Sequence, residues 1–192
     1  MKRNSFLRGC SALGTLLISP FAALAKVNGT ARVDKGFKID AGKDRFNKPI
    51  SLFQGDTFYT KISTTDTDGD VYAFESARIK EGGPSFHLHK EQDEFWYIIA
   101  GEFLFKIGEE TFTAKTGDTV FGPRNVPHAF AKVGKAEARM LILYQPAGKM
   151  EIMFKKISEG VTKNMTTDEQ KDKFFEEHDL KRIGPPLTYS KW

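Results

Sequence analysis

"GPSFHLHKEQDEFWYIIAG", residues 83–101, decides how this chain is read. His87 and His89 stand one residue apart among strand-forming residues. Side chains alternate faces along a strand, so both imidazoles point one way while Leu88 points the other. "KEQD" between the histidines and Glu94 reads as a turn, which lets Glu94 open the partner strand and point back at the pair.

Working outward, a third histidine follows in "GDTVFGPRNVPHAF". Gly117, Pro123 and Pro127 force tight turns there, and His128 begins another strand. Three neutral imidazoles and one carboxylate suit a divalent first-row metal such as Mn, Fe, Co, Ni, Cu or Zn. Open coordination positions would then receive a small-molecule substrate or dioxygen.

The rest of the chain supplies a scaffold for that cluster. Its 192 residues and 40% apolar content suffice for one domain with a substantial core. Short segments rich in Phe, Tyr, Ile and Val, from "GFKI" (36–39) to "ARMLILYQ" (138–145) and "MEIMFKKI" (150–157), are separated by Gly, Asp, Asn and Pro. That punctuation predicts an all-β sandwich or barrel without internal repeats. One short C-terminal helix is expected in "TTDEQKDKFFEEHDLKRIG", with Thr167 as N-cap, Gln170 three residues on, and Lys181, Arg182 and Gly184 at its close. Phe174 and Phe175 would anchor it, and His178 is read as a partly packed surface residue near its end. "EFWYIIAGEFLF" is apolar at both parities, so something should cover its outer face: a second subunit, giving a homodimer, the segment from residue 26 to about 60, or the helix.

Residues 1–25 have a different character. Lys2, Arg3 and Arg8 precede the apolar run "SALGTLLISPFAALA", which ends in Ala23-Leu24-Ala25. This reads as an export signal cleaved near Ala25, leaving residues 26–192 as a periplasmic or secreted domain with its barrel core at about 70–145. The twin-arginine route would need an arginine where Asn4 stands. Of 29 basic residues against 25 acidic, the leader takes three basic ones, so the processed chain is nearly neutral. Charge therefore gives no argument for a nucleic-acid partner, and no membrane span is expected after cleavage. The single cysteine, Cys10, leaves with the leader, so a metal site must use His, Asp and Glu.

These motifs resemble those of the cupin family. Its first pattern, a glycine, five residues, H-x-H, three or four residues, Glu, six residues and Gly, is matched by His87, His89, Glu94 and Gly101, with Glu81 in place of the leading glycine. Its second, a glycine, five residues, P-x-G, two residues, His, three residues and Asn, is matched by Gly117, Pro123 and His128. Asn125 stands for a glycine and Lys132 for the final Asn. The resemblance implies a double-stranded β-helix, or jelly-roll barrel, with His87, His89, Glu94 and His128 as metal ligands. Asp93 is the competing carboxylate, since the pattern tolerates either gap. Trp96, Ile98, Val126 and Phe130 share parity with the ligands and either line the cavity or fill the barrel.

"YTKISTTDTDGDVYAFESARIKEGGPSFHLH" and "HDLKRIGPPL" further resemble the single-barrel branch similar to quercetin 2,3-dioxygenase. That branch implies a metal-dependent dioxygenase acting on an oxygen-rich aromatic or enol substrate, with Glu94 as the catalytic base. A non-catalytic small-molecule-binding barrel and a metal-dependent isomerase are the alternatives, because one fold hosts several chemistries.

Overall fold

The structure, a computed structural model, describes residues 32–52 and 55–188. The leader at 1–25, its cleavage site and Cys10 lie outside the described residues. Strands β1 (Ile50–Leu52), β2 (Asp56–Ile62), β3 (Tyr72–Arg78), β4 (Ser85–His89), β5 (Asp93–Ala100) and β6 (Glu102–Ile107) come first. They are followed by β7 (Glu110–Lys115), β8 (Thr119–Gly122), β9 (His128–Val133) and β10 (Ala138–Gln145). Helices α1 (Met150–Ser158) and α2 (Asp168–Glu176) precede the last strand, β11 (Leu180–Pro186).

The strands form two antiparallel sheets, ordered β1-β2-β3-β10-β5-β8 and β11-β4-β9-β6-β7. β10 runs between β3 and β5, and β9 between β4 and β6, which is the winding of a double-stranded β-helix. The all-β jelly roll expected from the sequence is therefore the observed fold. Alternation explains the core: on β5, Glu94, Trp96 and Ile98 are buried, while Phe95, Tyr97 and Ile99 face the other way. Phe74, Trp96, Phe103 and Phe105 are fully buried, and Phe58 stacks on Phe74 with ring centroids 4.2 Å apart. Each such ring contributes roughly 1.5–3 kcal/mol on burial.

Four expectations are corrected. "MEIMFKKI" is helix α1 and not a strand, so the barrel carries two short helices. Met150, Met153, Phe154 and Ile157 recur at helical spacing and are all buried, whereas Ile152 is exposed. "GFKI" is irregular, with Phe37 lying 3.9 Å beneath the Arg45 guanidinium. The expected capping box forms, with Gln170 N donating to Thr167 Oγ1 at 3.3 Å, but the helix ends at Glu176. Asp179 adopts left-handed backbone geometry, and the chain returns as β11 beside β4, placing Arg182 opposite His87.

His178 is not a surface residue. It is 1% exposed, with Nδ1 donating to the Phe174 carbonyl at 2.6 Å and Nε2 3.3 Å from Lys156 Nζ. On the outer face of β5 and β8, Tyr97, Ile99 and Phe121 remain 41%, 37% and 57% exposed, so no described segment covers that face.

Candidate metal centre and cavity

Strand pairing assembles the cluster. His87 on β4 lies directly across from His128 on β9, and His89 follows on the same face of β4. Glu94 enters from the opposite sheet at the start of β5. Between His89 and β5 the turn is pinned by Asn125, whose N–H donates to the His89 carbonyl at 2.7 Å and whose Nδ2 donates to the Lys90 carbonyl at 3.3 Å. Asn125 has a φ of 63°, the left-handed geometry that lets Asn replace glycine here. Gly122 is fixed by space: a Cβ there would lie 2.7 Å from the Trp96 ring and 3.2 Å from His128 Nδ1.

One ligand atom from each of His87, His89, Glu94 and His128 lies within 4.8 Å of the others, and all four residues are buried. His87 Nε2 is 3.2 Å from His89 Nε2, and Glu94 Oε2 is 3.1 Å from both His89 Nε2 and His128 Nε2. Hydrogen-bond partners fix two of the tautomers. His87 Nδ1 lies 2.7 Å from the Ser85 carbonyl and His128 Nδ1 lies 3.0 Å from the Val126 carbonyl. A carbonyl only accepts, so both Nδ1 atoms donate and both Nε2 atoms present lone pairs inward. The His128 lone pair then faces a carboxylate oxygen, and the His87 lone pair faces His89. One hydrogen on His89 Nε2 can satisfy only one of its two neighbours. A divalent cation bound at the centre resolves every one of these acceptor contacts, so the donor set fits a metal.

Electrostatics agree with a neutral His87. Burial, reinforced by the neighbouring His89 and His128, pushes the His87 pKa down to about 3. Tyr144 on β10 donates its hydroxyl to Glu94 Oε1 at 2.8 Å. Burial, then the Glu94 charge, raises the Tyr144 pKa well above its usual 10, so it remains a donor.

His87 and Glu94 form part of the wall of a cavity of about 300 Å³. Phe58, Phe74, Ile142 and Phe130 line it from the sheets, and Met150, Met153, Phe154 and Ile157 from α1. Polar atoms come from Tyr144, Ser85, Arg78 and Arg182. Of the four residues expected from parity, Phe130 lines the cavity. Trp96 and Ile98 are instead buried in the core, with the Trp96 ring backing His128 at a centroid distance of 5.3 Å. Val126 sits in the loop beside Gly108. Asp93 points away from the cluster to Arg124, which hydrogen-bonds it at 2.6 Å and holds its pKa down to about 2. The sequence reading missed Tyr144, Arg78 and the α1 residues. Inward parity on "ARMLILYQ" was the available signal for Tyr144, and the helical spacing of residues 150–157 was the signal for α1.

Residues 68–144 match the family model described as a cupin domain, about two-fifths of the chain and the part holding all four cluster residues. The match supports the cupin superfamily. An uncharacterized protein of Methanocaldococcus jannaschii is 32% identical over 60 residues, 31% of this chain and 48% of that protein. The polyketide synthase CurC of Streptomyces cyaneus is 30% identical over 87 residues, 44% of this chain and 56% of that protein. The chain thus spans about half the length of these curated relatives. Among solved structures, an RmlC-like cupin from Shewanella frigidimarina aligns over 61% of this chain and 96% of its own, at 15% identity and a TM-score of 0.46.

Proposed function

We propose that this protein is a metal-dependent dioxygenase of the quercetin 2,3-dioxygenase type, exported from the cytoplasm and acting on a small oxygen-rich aromatic or enol substrate. The observation that carries this reading is that Glu94 belongs both to the three-histidine cluster and to the wall of an aromatic-lined cavity. His87, His89, Glu94 and His128 would hold the ion. A divalent ion there supplies Lewis acidity, which makes a substrate hydroxyl more acidic.

The chain's own groups do the rest. Phe58, Phe74 and Phe130 offer apolar faces to a planar ring and keep water from it. Glu94 takes up the hydroxyl proton, leaving the substrate as its enolate. Tyr144 holds Oε1, so the carboxylate keeps one oxygen directed at the histidines throughout.

Elemental analysis and oxygen uptake with a flavonol panel test this reading. About one bound first-row metal per chain and uptake with at least one flavonol are expected. Glu94→Gln should retain most of the metal and lose ~10²–10⁴-fold in turnover, the usual contribution of a general base. Retained turnover would remove Glu94 from that role. Metal without uptake would favour a binding protein or an isomerase, and absence of metal would overturn the reading.

A further inference from the structure

Two arginines line the cavity, and they are differently occupied. Arg182 on β11 donates from Nη2 to Asp168 Oδ1 on α2 at 3.2 Å, while its Nε, 3.2 Å from Asp172 Oδ1, has no aligned hydrogen bond. Arg78 on β3 is 7% exposed, and its described ion-pair partner is Asp56, at 2.7 Å from Nη2. That contact is one of charge without an aligned hydrogen bond: Asp56 Oδ2 and Arg78 Nε both lack hydrogen-bond partners among the described residues. The Arg78 carbon Cζ lies 5.0 Å from the centroid of Phe130, itself a cavity residue. Arg78 therefore stands in the cavity wall with Asp56 as its described counter-charge. Buried donors without partners are rare in folded proteins, and a cavity wall is where a ligand would satisfy them.

The geometry points to Arg78 as the anchor for a carboxylate carried by the substrate, separate from the oxygen held at the His-Glu cluster. This deepens the proposed reading, and rests on its assignment of the cavity as the substrate site. The guanidinium matches a carboxylate through parallel N–H donors, and its place over the Phe130 ring sets it beside an aromatic wall of the cavity. A buried guanidinium with an unpartnered donor at the wall selects an acidic aromatic substrate over its neutral counterpart.

Anaerobic titration calorimetry of the metal-loaded protein with 3-hydroxyflavone and its 4′-carboxylate tests the assignment without turnover. The wild type should bind the carboxylate more tightly. Arg78→Gln should weaken the carboxylate by ~10- to 100-fold, as expected for a charge-assisted hydrogen bond, and change 3-hydroxyflavone less than ~3-fold. Arg78→Lys should recover part of the preference. Should Arg78→Gln misfold because Asp56 is left buried and unpaired, the pair Arg78→Gln with Asp56→Asn removes both charges and serves instead. Equal affinity for the two probes in the wild type, equal losses in the variant, or binding of neither probe would overturn the assignment. A carboxylate preference that follows Arg78 in a protein consuming no oxygen would keep this anchor and refute the dioxygenase. Oxygen uptake without that preference would do the reverse.

Discussion

Tyr144→Phe isolates one hydrogen bond with little change of shape. The wild-type hydroxyl donates to Glu94 Oε1 at 2.8 Å, and both residues are almost wholly inaccessible from outside, so a replacement partner could come only from the cavity they border. The ring itself stays useful: it lies 6.3 Å from Phe74 and 5.2 Å from His89 between centroids, and Phe preserves both contacts. A hydrogen bond to a charged acceptor contributes ~1.5–3 kcal/mol. For a protein of this size each kcal/mol moves the melting temperature by ~2–4 °C, so a loss of about 3–12 °C is expected. The same hydroxyl orients the carboxylate toward the histidines, so metal affinity should fall ~10- to 100-fold, as it does when a ligand loses its supporting hydrogen bond. Differential scanning calorimetry of chelated and loaded protein reads the first effect, and competition against a chromophoric chelator reads the second. Tyr97→Phe, on the exposed outer face of β5, is the control and should change neither. A Tyr144→Phe protein that melts within about 1 °C of wild type and holds metal equally well would refute the reasoning, because 1.5 kcal/mol is the floor for such a bond.

Removing the metal should itself destabilise the protein: at a free-ion concentration 100 times Kd, binding contributes about 2.7 kcal/mol, so chelation should lower the melting temperature by ~5–11 °C. An unchanged melt on chelation would mean that no ion is bound at the cluster. Burial, only partly offset by Arg78, raises the Asp56 pKa from 3.8 to about 6. The folded state then binds a proton that the unfolded state has released between those values. The Asp56 contribution is therefore full below about pH 4 and is lost as pH rises through about 6, by up to ~3 kcal/mol. Urea unfolding across that range should show the decline in wild type and a flatter profile when Arg78→Gln and Asp56→Asn are combined; a stability that rises over the same window in wild type would contradict it.

What the sequence made legible follows from how locally each feature is determined. His87 and His89 share a face by strand parity alone, and a short turn after His89 brings Glu94 to them, whereas His128 arrives by the pairing of β9 with β4 and was legible through its motif spacing. The helix N-terminus at Thr167 was legible because a capping box is a local hydrogen-bond exchange. Residues 150–157 were misread because a short apolar segment satisfies strand and helix patterns almost equally. The end of α2 was misread because basic residues and a glycine also suit a turn into a strand, and β4 offered an edge on which "LKRIGPP" could pair.

The errors fall on one side of a physical division. The cluster residues lie within residues 68–144, where strand parity and motif spacing mark them. Phe58, Met150, Met153, Phe154, Phe175 and Arg182 lie outside that segment and reach the cavity only through long-range packing. Motif spacing can therefore report the donor atoms offered to a metal while leaving unspecified the volume, aromatic faces and charges presented to a substrate. Arg78 shows the limit within the motif itself. Its strand parity was readable, yet its burial against Asp56 and its place over Phe130 require two other strands to be set beside it. Relatives that preserve the cluster can thus differ in chemistry through residues that lie on other strands or helices, and for this chain substrate choice has to be sought in the walls contributed by β2, β3, α1 and β11.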